Sequence, residues 1–168
     1  TEGRVAHLED HGAVAMPPES GRYDAANQPA LRDTIKPIEI TQPEGTSFSV
    51  EGHAVQWEGF NFRVSMHPIN GLVLHQVCYQ DGDENRSILY RAALSDMVVP
   101  YGDPDPMHAW KHVFDAGETS IGTLPNSLTL GCDCLGEIFY FDSHIVNYKG
   151  EPRTIKNAIC MHEEDYGI

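Results

Sequence analysis

His108 and His112 stand four residues apart, the spacing that puts two imidazoles on one helix face and within reach of one metal ion. Two donors do not complete a site, and no Glu follows His108 to make HExxH, so a pair of exposed helix histidines is the simpler reading. The run His162–Asp165 (HEED) offers either a metal cluster or the polar end of a strand, and the second asks for less. Cys132 and Cys134 form a CxC that suits a metal or a disulfide but lacks the second cysteine pair of a zinc site, while Cys160 is near enough in the chain to serve as a disulfide partner. Asp115 is the most interesting carboxylate. It follows the apolar Val113 and Phe114, which would shield it from water, and burial raises a carboxyl pKa toward the value a general base needs to take a proton from carbon. A helix-terminating Asp without a catalytic role is the alternative.

These residues must be positioned by a chain that is mostly strand. Phe60, Phe62 and Val64 alternate with Asn61 and Arg63, the period of a half-buried strand. Leu72–Tyr79 is apolar on both faces, is closed by QDGDEN and is answered by Ser87–Leu94, which predicts an antiparallel hairpin. Glu137–Phe141 and Thr154–Met161 add two strands separated by the turn-like YKGEP. The exception is Pro106–Phe114, where Asp105 as cap and Pro106 at the first position predict one short helix. Residues 1–37 are polar, rich in Pro, Gly and Ala, and without sustained period. They read as an arm or linker from a preceding domain, with 38–168 as the folded part.

Composition excludes several functions. Eleven Lys and Arg against 25 Asp and Glu give a formal charge of -14, which disfavours nucleic acid and anionic membranes and suits a cationic small molecule. No apolar run approaches the ~18 residues needed to cross a bilayer, so the chain reads as soluble, with no membrane partner; a cytoplasmic setting is compatible, but the compartment stays open. No phosphate-binding glycine loop or GxSxG elbow is present, which removes nucleotide-binding and serine hydrolase readings.

Five blocks together resemble the copper amine oxidases: KPIEITQPEG (Lys36–Gly45), RAALSDMVVPYGDP (Arg91–Pro104), FDAGE (Phe114–Glu118), LTLGCDCLG (Leu128–Gly136) and NAICMHEED (Asn157–Asp165), in the family's order and at about its spacing. The resemblance implies a mainly β fold, an antiparallel sandwich that forms the N-terminal part of the catalytic domain. It implies that Asp115 is the catalytic base, that Tyr101 hydrogen-bonds the topaquinone and holds it in orientation, and that Cys134 and Cys160 are the disulfide pair, leaving Cys132 a free, buried thiol. Trp110, Val113 and Thr119 are assigned to the substrate channel, with Val113 as a gate smaller than the family's common Tyr or Leu and therefore a roomier passage.

The implied reaction is oxidative deamination of a primary amine by dioxygen, giving aldehyde, ammonia and hydrogen peroxide, in a homodimer that uses copper and topaquinone. The quinone-forming tyrosine and the three copper-ligating histidines are expected downstream of Ile168, and His108, His112 and His162 do not match the ligand motifs, so no metal is assigned to these residues. The chain is expected to act with the remainder of the oxidase polypeptide, not alone. Two rivals stand beside this reading: a non-catalytic β-sandwich binding module, and a small metalloenzyme using His108, His112 and the HEED cluster.

Overall fold

A computed structural model describes residues 3–13, 15, 21–22 and 24–167, with the backbone alone at residues 25, 114 and 115. The chain divides into two compact units, Thr1–Pro37 and Ile38–Ile168. Among the described residues of the first, the regular structure is one 3-10 turn at Ala25–Asn27, tied by the Asn27 amide donating to the Asp24 carboxylate.

The second unit is built on a five-stranded antiparallel sheet in chain order: β1 (Ser49–Glu51), β2 (Ala54–Trp57), β3 (Phe60–His67), β4 (Gly71–Asp81) and β5 (Glu84–Ala93). The expected hairpin is β4–β5, with Asp81 opposite Glu84 across a loop whose first residue, Gly82, takes φ +59°. A side chain at that angle would be strained, which is why the loop's first position is glycine. Two smaller hairpins follow, β6 (Val98–Pro100) with β7 (His112–Phe114), and β8 (Phe139–Val146) with β9 (Pro152–Met161).

Alternation along β3 decides which face is covered. Phe62, Val64 and Met66 point to the same side and meet the β8–β9 hairpin: Val55, Val64 and Phe141 form one buried cluster with Phe62, Leu74, Ile159 and Met161 around it, and Ile145, Ile155 and Ala158 form a second against Met66. Burial of each such side chain stabilises by about 1.5–3 kcal/mol, so these clusters fix hairpin on sheet as a β-sandwich. The His53 ring stacks on Phe141 at 5.8 Å and extends the seam. Among the described residues no helix is long and apolar enough to cross a membrane.

The helix lies elsewhere than its sequence signals suggest. Pro106–Trp110 forms turns in which the Asp105 carbonyl accepts from both His108 and Ala109, but the next residues pair as β7 with β6. The α-helix, α1 (Asp115–Thr119), begins where the predicted one was to end. Cap and proline started one turn; the pairing of His112–Phe114 with Val98–Pro100 then claimed the amides that a longer helix would have used.

Candidate active site

The β6–β7 hairpin carries most of the sequence-derived candidates. Its register sets Val98 opposite Phe114, Val99 opposite Val113 and Pro100 opposite His112. The ladder continues at one end through the Tyr101 amide, which donates to the Lys111 carbonyl at 3.2 Å. The Lys111 ammonium sits 4.5 Å from the centre of the Tyr101 ring, holding a ring that is otherwise 54% exposed. At the other end the chain passes from Phe114 into α1, whose first residue is Asp115. The Asp115 side chain lies outside the described residues. At ~3.3 Å per strand residue, the backbones of Lys111 and Asp115 are roughly 13 Å apart, so Tyr101 and Asp115 mark opposite ends of one hairpin.

The remaining candidates are arranged around this hairpin. Val113 is half-buried, Trp110 is 73% exposed in the connecting turns, and Thr119 is exposed at the end of α1. His108 does not share a helix face with His112; its Nδ1 pairs with the Asp103 carboxylate at 3.2 Å, while His112 is in β7. Asp103 is held below the usual carboxylate range first by the Asp105 amide and then by His108. That network shapes the 103–108 turn and gives no metal pair.

Two residues that sequence reasoning passed over position the site. The Asp96 carboxylate Oδ1 accepts the backbone amides of Met97 at 2.7 Å and Gly117 at 3.3 Å, so it caps α1 across the hairpin. Gly122, in the 3-10 turn Ile121–Thr123 after α1, is buried against the backbone of β3: a Cβ there would collide with the His67 carbonyl. Ile121 in the same turn lies against Gly71 of β4. These contacts lock the Asp115 segment to the main sheet. Asp96 gives a faint sequence signal as an acid just before a strand, and Gly122 gives none.

Cys134 and Cys160 are joined by a disulfide, and Cys132 is free. Cys132 is exposed, not the buried thiol expected, because it stands on a tight surface turn in which its own amide donates to the Thr129 carbonyl at 3.1 Å. Glu163 of HEED is taken up in hydrogen bonds: it accepts from Gln42 Nε2 at 2.5 Å, the Ser47 amide at 2.8 Å and Trp57 Nε1 at 2.9 Å. Those bonds, Gln42 first, hold its carboxyl down to about 2. Among the described residues one trio of metal-ligating atoms gathers within 4.8 Å, from Cys134, Cys160 and His162, and the disulfide ties up two of them. The His162 imidazole left over is a donor type that copper accepts but is not by itself a ligand set.

Comparison with known proteins agrees in every direction. The family described as copper amine oxidase, enzyme domain, matches residues 49–168. The chain is 53% identical over 166 residues to a primary amine oxidase of Arthrobacter sp. (strain P1), covering 99% of this chain and 26% of that protein. It is 49% identical over 166 residues to a histamine oxidase of Arthrobacter globiformis, covering 98% of this chain and 24% of that one. Among solved structures, the copper-containing benzylamine oxidase from Hansenula polymorpha superimposes with a TM-score of 0.71 at 41% identity, over 87% of this chain and 22% of its own. The chain thus spans about a quarter of the length of the curated relatives it matches. With its sandwich, its β6–β7 hairpin and these matches taken together, the chain belongs to the copper amine oxidase family.

Proposed function

We propose that this chain forms the proton-abstracting part of a primary-amine oxidase, with Asp115 as general base. The observation that carries this reading is the hairpin register, which sets Tyr101 and the Asp115 backbone at the two ends of one short ladder, with Lys111 and Asp96 fixing those ends. Asp115 removes a proton from the carbon next to the amine nitrogen. Tyr101 acts as a positioning hydroxyl, and Trp110, Val113 and Thr119 line the amine's approach. A net charge of -14 draws a cationic amine toward the molecule before any contact is made.

Copper and topaquinone belong to the parts of the polypeptide outside this segment, as does the wall that closes the site. The apolar surface left uncovered supports that division. Ile88, Leu89 and Tyr90 are exposed on β5, the edge strand, and Met97, Val98 and Trp110 are exposed around the hairpin. The relatives carry the names of methylamine, histamine and benzylamine oxidases, so the substrate class proposed is the primary amine and no narrower. We place the assembled enzyme in a homodimer with dioxygen as second substrate.

The test uses the full-length polypeptide, purified without separating chains. Asp115→Asn should abolish amine turnover, a loss on the order of 10²–10⁴-fold or more, while copper content and uptake of phenylhydrazine stay at the parental level. Turnover within about threefold of the parent would remove Asp115 from the role. Intact protein with neither copper nor hydrazine uptake would instead favour a binding module.

A further inference from the structure

The face of the main sheet turned away from the β8–β9 hairpin carries cations that this acidic chain leaves unanswered. β3 sends Phe62, Val64 and Met66 toward the hairpin, so Arg63 and Ser65 project from the opposite side. The register sets Arg63 opposite His75 on β4 and His75 opposite Arg91 on β5, a row of two guanidinium groups and an imidazole across three strands. The Ser65 hydroxyl lies 2.8 Å from His75 Nε2, as it must if both belong to this face. Among the described residues Arg63 has no hydrogen-bond or ion-pair partner, and Arg91 has a neutral one, Asn70 Oδ1 at 2.8 Å. Arg86 shows the contrast: its guanidinium donates to Asp81 at 2.7 Å and lies 3.1 Å from Glu84. In a chain with 25 Asp and Glu, the bare row is not for want of acids.

The row opens on a trough. Two cavities, of about 440 Å³ and 490 Å³, share Arg63, Gln76 and Tyr90 in their walls. Ser65 and His75 line the first, the second adds neutral polar side chains, and no described residue lining either is Asp or Glu. Ala54, opposite Arg63 on β2, is too small to cover it. Beyond His75 a bulge gives Gln76 φ +51°, a backbone angle that side chains other than glycine's rarely adopt, and this kink falls where the two cavities adjoin.

We infer that this trough binds an oxyanion, a carboxylate or phosphate group held by the Arg63 guanidinium with Ser65 and Gln76 as further donors. Like charges directly opposite one another weaken a strand pair, and an anion lying across the row turns that repulsion into attraction. The planar fork of Arg63 matches two oxygens of one such group. When His75 Nε2–H donates to the Ser65 oxygen, the hydroxyl proton is left for the anion. Arg91, tied to Asn70 and roughly 10 Å from Arg63 at two strand spacings, supplies field and not contact. A cationic amine is repelled here, so the site is separate from the amine's path and does not rest on the role of Asp115. The anion has two sources of the same chemistry: a free oxyanion, or an Asp or Glu of the remaining polypeptide, since the chain spans about a quarter of its relatives' length.

The test follows thermal unfolding of the full-length polypeptide in inorganic phosphate and in chloride at equal ionic strength, for the parent, Arg63→Met and Arg63→Lys. All three should keep amine turnover, which shows that they are folded and holds the result apart from the fate of Asp115. For a free oxyanion, phosphate raises the parent's midpoint saturably, Arg63→Met binds it about tenfold or more weakly, the scale of a lost charge-assisted hydrogen bond, and Arg63→Lys falls between. For a carboxylate of the remaining polypeptide, phosphate does nothing beyond chloride, Arg63→Met lowers the midpoint by leaving that carboxylate unpaired, and Arg63→Lys recovers part of the loss. A phosphate shift of equal size in the parent and Arg63→Met, which is exclusion from the surface at large, would overturn the inference. So would the absence of any phosphate shift together with an unchanged midpoint in Arg63→Met.

Discussion

The Asp96 carboxylate accepts the backbone amide of Gly117 at 3.3 Å, so a residue just before β6 caps the helix that opens with Asp115. This relationship couples the two ends of the FDAGE stretch to the strand that pairs with it. The fit is close: a Cβ at Gly117 would come to 3.2 Å from Asp96 Oδ2, so the carboxylate would have to give by a few tenths of an ångström to admit it.

Asp96→Ala should therefore cost about 1 kcal/mol of stability, as loss of a helix cap does, and reduce amine turnover by more than that loss alone explains. Asp96→Asn, which keeps an acceptor oxygen, should recover most of both. Urea unfolding and steady-state kinetics on the full-length enzyme check this. Equal turnover in the alanine variant and the parent would show that the cap serves folding alone.

Glu163 makes a pH prediction with a definite sign. Its carboxyl is depressed from 4.5 to about 2, by Gln42 first, then the Ser47 amide and Trp57. A carboxylate depressed by folding contributes stability that is fully present above its unfolded pKa and is lost as pH falls through the folded one. The parent should lose that contribution between about pH 4.5 and pH 2. Glu163→Gln should be less stable at neutral pH, because its amide would face three donors, and should lack this part of the acid slope. Unfolding midpoints between pH 7 and pH 2 for both proteins decide it, and parallel curves would refute this role for Glu163.

How far the sequence announces these features depends on range. Phe60–Val64 and the β4–β5 hairpin were legible because their period and turn chemistry are local. The helix expected at Pro106–Phe114 was not, because its start signals are local while the pairing of β7 with β6 is tertiary and prevailed over them. Glu163 was read as a polar strand end, since nothing within HEED reveals that donors from Gln42, Ser47 and Trp57 converge on it. The pairing of Cys134 with Cys160 rested on family resemblance, spacing having left the partner open. The exposure of Cys132 follows from a turn no residue pattern marked.

Gly122→Ala should be strongly destabilising for its size. The added methyl meets the backbone carbonyl of His67, which belongs to β3 and cannot rotate away as a side-chain tip would. Overpacking of this kind costs about 1–3 kcal/mol, and the shift should propagate to α1 through the adjoining turn. Thermal unfolding gives the first number, and a lowered turnover at temperatures where the variant remains folded gives the second. A melting temperature unchanged from the parent would mean that the turn gives way freely.

Val113 offers the most direct handle on substrate breadth. It is half-buried opposite Val99 in the β6–β7 ladder, two residues before Asp115, so its size is set on a paired strand and not on a free loop. If it gates the amine's approach, Val113→Tyr narrows the passage without disturbing the backbone that carries Asp115. The expected outcome is a fall in kcat/KM for a bulky aromatic amine of at least about tenfold relative to a small alkyl amine, the scale of steric discrimination in an apolar pocket. Turnover of the small amine should stay close to the parental value, which separates a gate from general damage. Unchanged relative rates for the two amines would place the substrate's path elsewhere and leave Val113 as a strand residue only.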